Sequence, residues 1–312
     1  MHPAFSVIFF TVASGAGFGL FALLYLADAL KLGGLTSKPL AVTGLLALVL
    51  IAAGLTSSLF HLANPKNAWR AFNRFRTSWL SREGVFAVAF YPFAAGYLGL
   101  TWFDIEGLNI VRLVFGAVAT VLAWVTVFST GMIYGCLKTI RQWNTPLVPA
   151  NFLVLAHFSG ALLLLVAVAV TGSDVGFYLK LTGLFLAFSA ALKAIYYFWI
   201  AEPGATSTIN TATGFTRAQV KLLDAGHTHG TFLTQEFGFR LARRYAVGLK
   251  AFVFIGAFGV PLMALLAAFG EFDLELAGTT AVVALLGLVT ERWLFFAEAR
   301  HVVNLYHGAQ RC

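Results

Sequence analysis

The sequence predicts an all-α, polytopic integral membrane protein with eight transmembrane helices in a bundled arrangement. Three observations lead to this fold class. The 312 residues are 59% hydrophobic, with a mean hydropathy of +0.83. Only 11% are charged, less than half of the roughly 25% that is usual in soluble domains. Eight apolar stretches approach the roughly 20 residues that a helix needs to cross the hydrocarbon core. We therefore expect a single membrane domain comprising residues 1–312.

Each predicted span ends at residues that disfavour helices or apolar surroundings. In the first half, Gly33, Gly34 and Pro39 separate the first two spans, and Pro65 opens the connection to the third. In the second half, Pro203 and Gly204 follow the sixth span, and an acidic stretch at 271–275 separates the last two. The predicted spans are residues 5–30, 40–62, 85–103, 110–135, 150–170, 175–200, 245–269 and 276–296.

Basic residues are distributed unequally between the two sides of the predicted bundle. An even number of spans places both termini on one side. The connections on that side are 63–84, 136–149, 201–244 and a tail at 298–312, and together they carry fourteen Lys and Arg residues against four near the other side. Positive residues mark cytoplasmic loops, so we expect these segments and both termini in the cytoplasm. The net charge of +8 therefore indicates contact with membrane lipid and not with nucleic acid.

The cysteine and histidine pattern argues against a metal cofactor in this chain. An iron–sulfur cluster needs about four thiolates, and the chain has only Cys136 and Cys312. The spacing of Glu298 and His301 is that of carboxylate-bridged di-iron bundles, but such sites need a second Glu-x-x-His motif. We expect Glu291 to pair instead with Arg292 or Lys193.

Residues 61–83 carry an unusual density of ionisable groups between two spans. His61 ends the second predicted span and Glu83 begins the third. Histidine titrates near neutrality, and carboxylates in apolar surroundings can act as acids and bases. The pair suits chemistry that takes two electrons and two protons, as on a quinone. The alternative roles are an interfacial histidine and a carboxylate that complements a helix dipole.

The residues between this pair have two interpretations. Lys66, Arg70 and Arg74 lie four apart, so they would share one face of a short interfacial helix. With Arg76 they either bind anionic lipid or contact a partner protein. Tryptophans are ordinary interface anchors, but three residues crowd the entrance to the third span and are expected beside the quinone: Ser78, Trp79 and Arg82.

Other features leave alternatives open. His61 and His157 could ligate a b-type haem between two helices. Asp28, Lys193 and Glu291 could serve a membrane transporter or proton channel. The glycine-rich stretch 14–19 of the first span either permits close helix packing or receives a cofactor or quinone tail.

The longest connection, 201–244, is expected to bind a cytoplasmic partner. A connection of this length in a compact protein is usually functional or disordered, and its Phe and Leu content argues against disorder. The residues predicted to dock the partner are His227, His229, Phe232 and Glu236.

At these residues the sequence resembles a known family, the membrane-anchor subunits of dimethyl sulfoxide reductase and its relatives. The branch that it resembles most serves quinone-linked sulfite dehydrogenases. The resemblance covers nearly the whole chain. It rests on His61-Leu62, Pro65, residues 68–71, residues 77–83, residues 224–239 and residues 291–307.

The resemblance implies a complex of three different chains in a bacterial inner membrane. A molybdopterin catalytic subunit would exchange electrons with an iron–sulfur subunit, which would pass them to this anchor. The anchor would hold no metal and would react with ubiquinone or menaquinone through His61 and Glu83. The resemblance favours sulfite oxidation with quinone reduction; quinol oxidation feeding a reductase is the alternative.

Overall fold

A computed structural model describes residues 3–60, 62, 64–171, 175–201, 207–224, 229, 241–267 and 273–312, with backbone only for 241–244. Eight helical segments in these ranges are long and apolar enough to span a membrane, which confirms the predicted fold class. Seven of them are single helices, while the seventh segment along the chain contains a π-helical turn. The spanning helices are α1 (Phe5–Ala29), α2 (Ser37–Leu59), α3 (Trp79–Phe103), α4 (Asn109–Gly135), α5 (Leu147–Thr171), α6 (Val175–Ala201), α8 (Leu241–Val253) with the π turn Phe254–Gly259 and α9 (Val260–Ala267), and α10 (Leu274–Ala297).

The first helix lies at the centre of the bundle. It packs against α2, α4, α5 and α10, and it is the most buried of the eight spans. Its glycines explain how this is possible. A Cβ on Gly19 would lie 1.9 Å from the Ala156 carbonyl oxygen, and one on Gly160 would lie 2.3 Å from the backbone of Gly19. Small residues allow such close approach of two helix backbones, so the helix-packing interpretation of stretch 14–19 is confirmed for Gly19.

The third helix begins six residues earlier than the predicted start at residue 85. Ser78 is its N-cap, and the Ser81 backbone N–H donates to the Ser78 hydroxyl over 3.4 Å. The polar first turn hid this start from a prediction based on apolar residues. As a result, Arg82 and Glu83 lie inside the helix and not in the preceding connection.

The basic segment before this helix is also helical, but of the 3₁₀ type, over Pro65–Arg74. A 3₁₀ helix has three residues per turn, so side chains four apart do not share a face. The prediction of one face for Lys66, Arg70 and Arg74 is therefore wrong. All three are exposed.

The bundle has two unlike ends. At one side of the bundle α1, α3 and α5 begin, and α2, α4, α6 and α10 terminate. We call this side the terminal face. The opposite end is the distal face. There the Asp28 carboxylate accepts from the Tyr97 hydroxyl over 2.7 Å and pairs with the Arg112 guanidinium at 2.5 Å.

The tail after α10 fastens two connections of the terminal face. The Val302 N–H donates to the Thr139 carbonyl over 3.2 Å, and the Cys312 N–H donates to the Ser207 carbonyl over 2.9 Å. A short helix, α7 (Ile209–Thr213), joins this layer through the Gln310 carbonyl. The connections 136–146 and 207–213 are thus held together by backbone hydrogen bonds from the tail.

One side chain of the tail makes this attachment sensitive to pH. The Val303 N–H donates to Nδ1 of His301 over 3.0 Å and so caps the 3₁₀ segment Val302–His307. Partial burial lowers the pKa of His301 below its ordinary 6.5. A lowered histidine pKa means that the unfolded state binds the proton more readily. The hydrogen bond from Val303 to neutral His301 therefore stabilises the folded tail fully above about pH 6.5, and this stabilisation is lost as the pH falls below that value.

We expect amide exchange at Val303, corrected for its intrinsic rate, to accelerate below pH 6.5, because a protonated Nδ1 cannot accept a hydrogen bond. The control is His301→Asn, whose side-chain carbonyl can cap at every pH. Equal pH dependence of exchange in both proteins would contradict the assignment.

Candidate functional site

The candidate site lies at the terminal face, where α3 begins. The Phe75 carbonyl accepts from Nε of Arg82 over 3.0 Å, and the Arg76 carbonyl accepts from Nη2 over 2.8 Å. The same guanidinium lies 4.3 Å from the ring centre of Trp79. Arg82 therefore holds the turn before α3 closed, with Trp79 packed between it and the Phe128 ring.

Glu83 points in the other direction, into the interface between α3 and α4. Its side chain is 4% exposed, and the Thr130 hydroxyl donates to its carboxylate. The same hydroxyl lies 3.0 Å from the Thr126 carbonyl, and one hydrogen cannot serve both acceptors fully. When Thr130 donates to Thr126, a proton on Glu83 can complete the contact instead. The geometry thus accommodates Glu83 with or without its proton.

The surroundings of Glu83 contain few compensating groups. None of the four ion pairs among the described residues involves it. The hydroxyl of Ser81, two residues earlier, is 1% exposed and has no hydrogen-bond partner within the described ranges. Buried polar atoms normally have a partner, so Ser81 is a second unsatisfied polar group in the first turns of α3, although residues two apart on a helix do not face each other.

The other predicted site residues differ in how the structure places them. Ser78 caps α3 and does not contact the Glu83 side chain through any hydrogen bond of the described chain. The docking candidates Arg70, Arg74, Arg76 and His229 are exposed. The remaining candidates lie outside the described residues: His61, His227, Phe232 and Glu236.

Sequence reasoning missed the partner of Glu83. On α4, Thr126, Ser129 and Thr130 are all buried and lie at the i, i+3, i+4 spacing that forms one helix face. This polar stripe in an apolar span is the sequence signal that indicates a polar partner on α4. One turn further on, the Tyr134 ring packs against Phe152 of α5 and Phe295 of α10.

His157, the candidate second haem ligand, uses both of its ring nitrogens. Nδ1 donates to the Leu153 carbonyl over 2.8 Å, and Nε2 accepts from the Trp124 indole over 2.9 Å. Its ring stacks on Phe185. A nitrogen that accepts a hydrogen bond has no lone pair left for iron, so this geometry argues against the haem interpretation.

Three buried charges meet further inside the terminal half of the bundle. Lys193 donates to the Glu291 carboxylate, and the Arg292 Nε lies 3.6 Å from its second oxygen. The expected pairing of Glu291 is thus formed with both cations. Within the described part of the chain, no three His, Cys, Asp or Glu side chains gather as a metal site.

Comparison with known proteins identifies the family. The model of the family described as DMSO reductase anchor subunit (DmsC) matches residues 1–297. A relative from Allochromatium vinosum, which is named as one of the subunits of a sulfite dehydrogenase, is 33% identical over 98% of this chain and 99% of its own length. Both matches cover the α3 site and the eight spans. This eight-helix membrane protein therefore belongs to the DMSO reductase anchor subunit family.

Proposed function

We propose that this chain is the quinone-reactive membrane anchor of a molybdopterin and iron–sulfur oxidoreductase. It would pass electrons between the iron–sulfur subunit and the membrane quinone pool. The observation that carries the proposal is Glu83, a carboxyl group buried near the terminal face beside a neutral hydroxyl. Ionisable side chains inside membrane spans are costly and mark functional sites.

The chemistry of a quinone fits the side chains at this place. Reduction of a quinone adds two electrons and two protons, so its oxygens need hydrogen-bond partners that also exchange protons. Glu83 would hold or release one proton at its carboxylate. His61, two residues after the end of α2, would be the second proton carrier. Trp79 and Arg82 would shape the entrance, as they close the turn before α3.

The terminal face would receive the iron–sulfur subunit. The exposed Arg70, Arg74 and Arg76 give it positive charge, which attracts an acidic partner surface and orients its approach. The tail and its attached connections add a second, ordered part of the same face. We infer that this face is cytoplasmic, because most of the chain's basic residues lie at it, in a bacterial inner membrane.

The relative's name supports the direction of electron flow. Its sulfite dehydrogenase activity is an oxidation, so electrons released from sulfite would travel through the partners to this anchor and reduce ubiquinone or menaquinone. The molybdopterin subunit, and not this chain, would bind sulfite.

The experiment that tests this function measures two activities of the purified complex. One is sulfite oxidation with a short-chain ubiquinone, and the other is sulfite oxidation with ferricyanide, a soluble acceptor. We expect His61→Ala to lower the quinone rate by about 10²-fold, the low end of the contribution of a positioned acid or base. The ferricyanide rate should stay unchanged, since that acceptor takes electrons from the soluble subunits.

The control variant is His157→Gln, which alters a histidine inside the bundle and away from the α3 site. It should retain the quinone rate. If His61→Ala reduces quinone as fast as the unmodified complex, the assignment of His61 is wrong.

A further inference from the structure

The buried charges at Lys193, Glu291 and Arg292 have no part in the quinone site described so far. They are 2%, 0% and 4% exposed. Burying three charges in a membrane protein is expensive, and a purely structural pair would use both carboxylate oxygens. Here one oxygen of Glu291 accepts from Lys193, while the other, Oε2, lies 3.6 Å from the Arg292 Nε but has no hydrogen-bond partner in the described ranges.

A small cavity is shared by this cluster and by Thr130, the hydrogen-bond partner of Glu83. Its volume is about 20 Å³, and both Glu291 and Thr130 line it. About one water molecule fits in such a space. Ser14 and Ser159 also line it, and their hydroxyls already donate to the carbonyls of Phe10 and Leu155. Their oxygens can still accept, so a water here can donate one hydrogen to a serine and the other to the Thr130 oxygen, and it can accept a proton from Glu291.

On the far side of this cavity stands Thr130, which contacts Glu83. A hydroxyl can receive a proton on its oxygen and release its own hydrogen in the same event. We propose that the Lys193–Glu291 pair supplies protons to Glu83, through one water and the Thr130 hydroxyl. This relay rests on the proposed quinone function and names the proton source for it.

The proton count is balanced in each turnover. Glu83 gives its proton to the quinone oxygen, and Thr130 passes its hydroxyl hydrogen to the Glu83 carboxylate. Thr130 then takes a proton from the water. Lys193 protonates the Glu291 carboxylate, and the carboxyl group turns and gives that proton to the water, leaving neutral Lys193 and ionised Glu291. Arg292 keeps its charge, since guanidinium is not deprotonated in proteins. The cluster thus alternates between a net charge of +1 and zero, and its carboxylate always faces a cation.

The cluster has a route for reloading from the terminal face. Lys250 pairs with Glu298 at 2.8 Å, and both are partly exposed. The Tyr197 ring lies 5.0 Å from the Lys193 nitrogen and 4.9 Å from the Lys250 nitrogen. Its buried hydroxyl has no partner within the described chain. The ionisable groups around the cluster are Lys193, Tyr196 and Tyr197 of α6, Lys250 of α8, Arg292 of α10, Glu298 directly after α10, and Tyr134 of α4.

Between α1 and α3, the surroundings towards the distal face are apolar and aromatic. Phe90 packs edge-on against Phe18 and Phe21, with ring centres 5.1 and 4.9 Å apart. All three are at most 2% exposed. Since aromatic rings offer a proton no acceptor, the relay draws its protons from the terminal face.

The test uses a matched pair of variants in the purified complex. Thr130→Val removes the hydroxyl and keeps the branched shape, whereas Thr130→Ser keeps a hydroxyl. We expect Thr130→Val to lower kcat with a short-chain ubiquinone by about 10²-fold, with a larger solvent deuterium isotope effect and unchanged KM. Thr130→Ser should remain within about threefold of the unmodified complex, and the ferricyanide rate should stay constant in both.

A double variant, Lys193→Met with Glu291→Gln, tests the source of the proton while keeping the net charge of the cluster at +1, and the glutamine carbonyl oxygen can still accept from Arg292. It should show the same loss of kcat and the same rise in isotope effect. If the ferricyanide rate or thermal unfolding shows that Thr130→Val does not fold, the double variant alone tests whether the Lys193–Glu291 pair supplies the proton.

Two negative results have different meanings. If the double variant and Thr130→Val both turn over quinone at the unmodified rate while Glu83→Gln does not, the relay is wrong and the quinone site stands. If Glu83→Gln also retains quinone turnover, the proposed function of the α3 site is wrong.

Discussion

Replacing Glu83 by glutamine is expected to lower quinone turnover of the complex by about 10²- to 10⁴-fold, the range that a positioned proton-transfer group contributes. Glutamine has nearly the same shape and can still bond to the Thr130 hydroxyl, but it cannot carry the proton. The measurement is the rate of sulfite oxidation with a short-chain ubiquinone. The rate with ferricyanide should not change, because that acceptor bypasses the membrane site.

The matched control for this substitution is Glu106→Gln. Glu106 is an exposed carboxylate at the distal face, so its loss of charge should leave both rates unchanged. A parallel loss of the ferricyanide rate in Glu83→Gln would indicate a damaged complex. Full quinone turnover in Glu83→Gln, with the ferricyanide rate intact, would remove the observation on which the proposed function rests.

Replacing Gly160 by alanine is expected to destabilise the bundle by about 3 kcal/mol, the upper part of the range for an overpacked site. The added Cβ would lie 2.3 Å from the Gly19 carbonyl carbon and from the Leu20 nitrogen. Both are backbone atoms of the central helix, so no side-chain rotation can relieve the clash. We expect a lower thermal unfolding temperature in detergent and less assembled complex in membranes.

The control here is Gly183→Ala on α6. No atom lies within 4 Å of the Cβ that it would add, and alanine favours helix over glycine by up to about 1 kcal/mol. Its unfolding temperature should stay the same or rise. If Gly160→Ala unfolds at the same temperature as Gly183→Ala, the close approach of α1 and α5 does not limit stability.

The spans could be predicted from the sequence with small errors. Six of the eight predicted starts lie within three residues of the observed ones, and the largest error is the late start predicted for α3. Hydropathy works well for such segments because a helix in lipid must satisfy its backbone hydrogen bonds internally. The start of α3 is the exception, because residues 78–82 include two serines and an arginine and so lower the local hydropathy. The helix starts there because Ser78 caps it.

The candidate site could be predicted only in part. The sequence singles out Glu83 because a carboxylate near an apolar span is rare, whereas Arg82 and Ser78 join it only by proximity in sequence. The structure gives them other contacts, a closed turn and a helix cap. Neighbours along a helix point in different directions, about 100° apart per residue at roughly 3.6 residues per turn, so adjacency did not reveal which of them faces α4.

By itself, the sequence determined the number and order of the spans and the uneven distribution of basic residues, since these depend on local composition. Only the tertiary structure decided which polar groups meet. Glu83 meets Thr130 from 47 positions away, and Lys193 meets Glu291 from 98. The reason is physical. Lipid is as apolar as the helix surfaces, so the lateral arrangement of helices follows from close packing at sites such as Gly19 and Gly160, which no single span encodes.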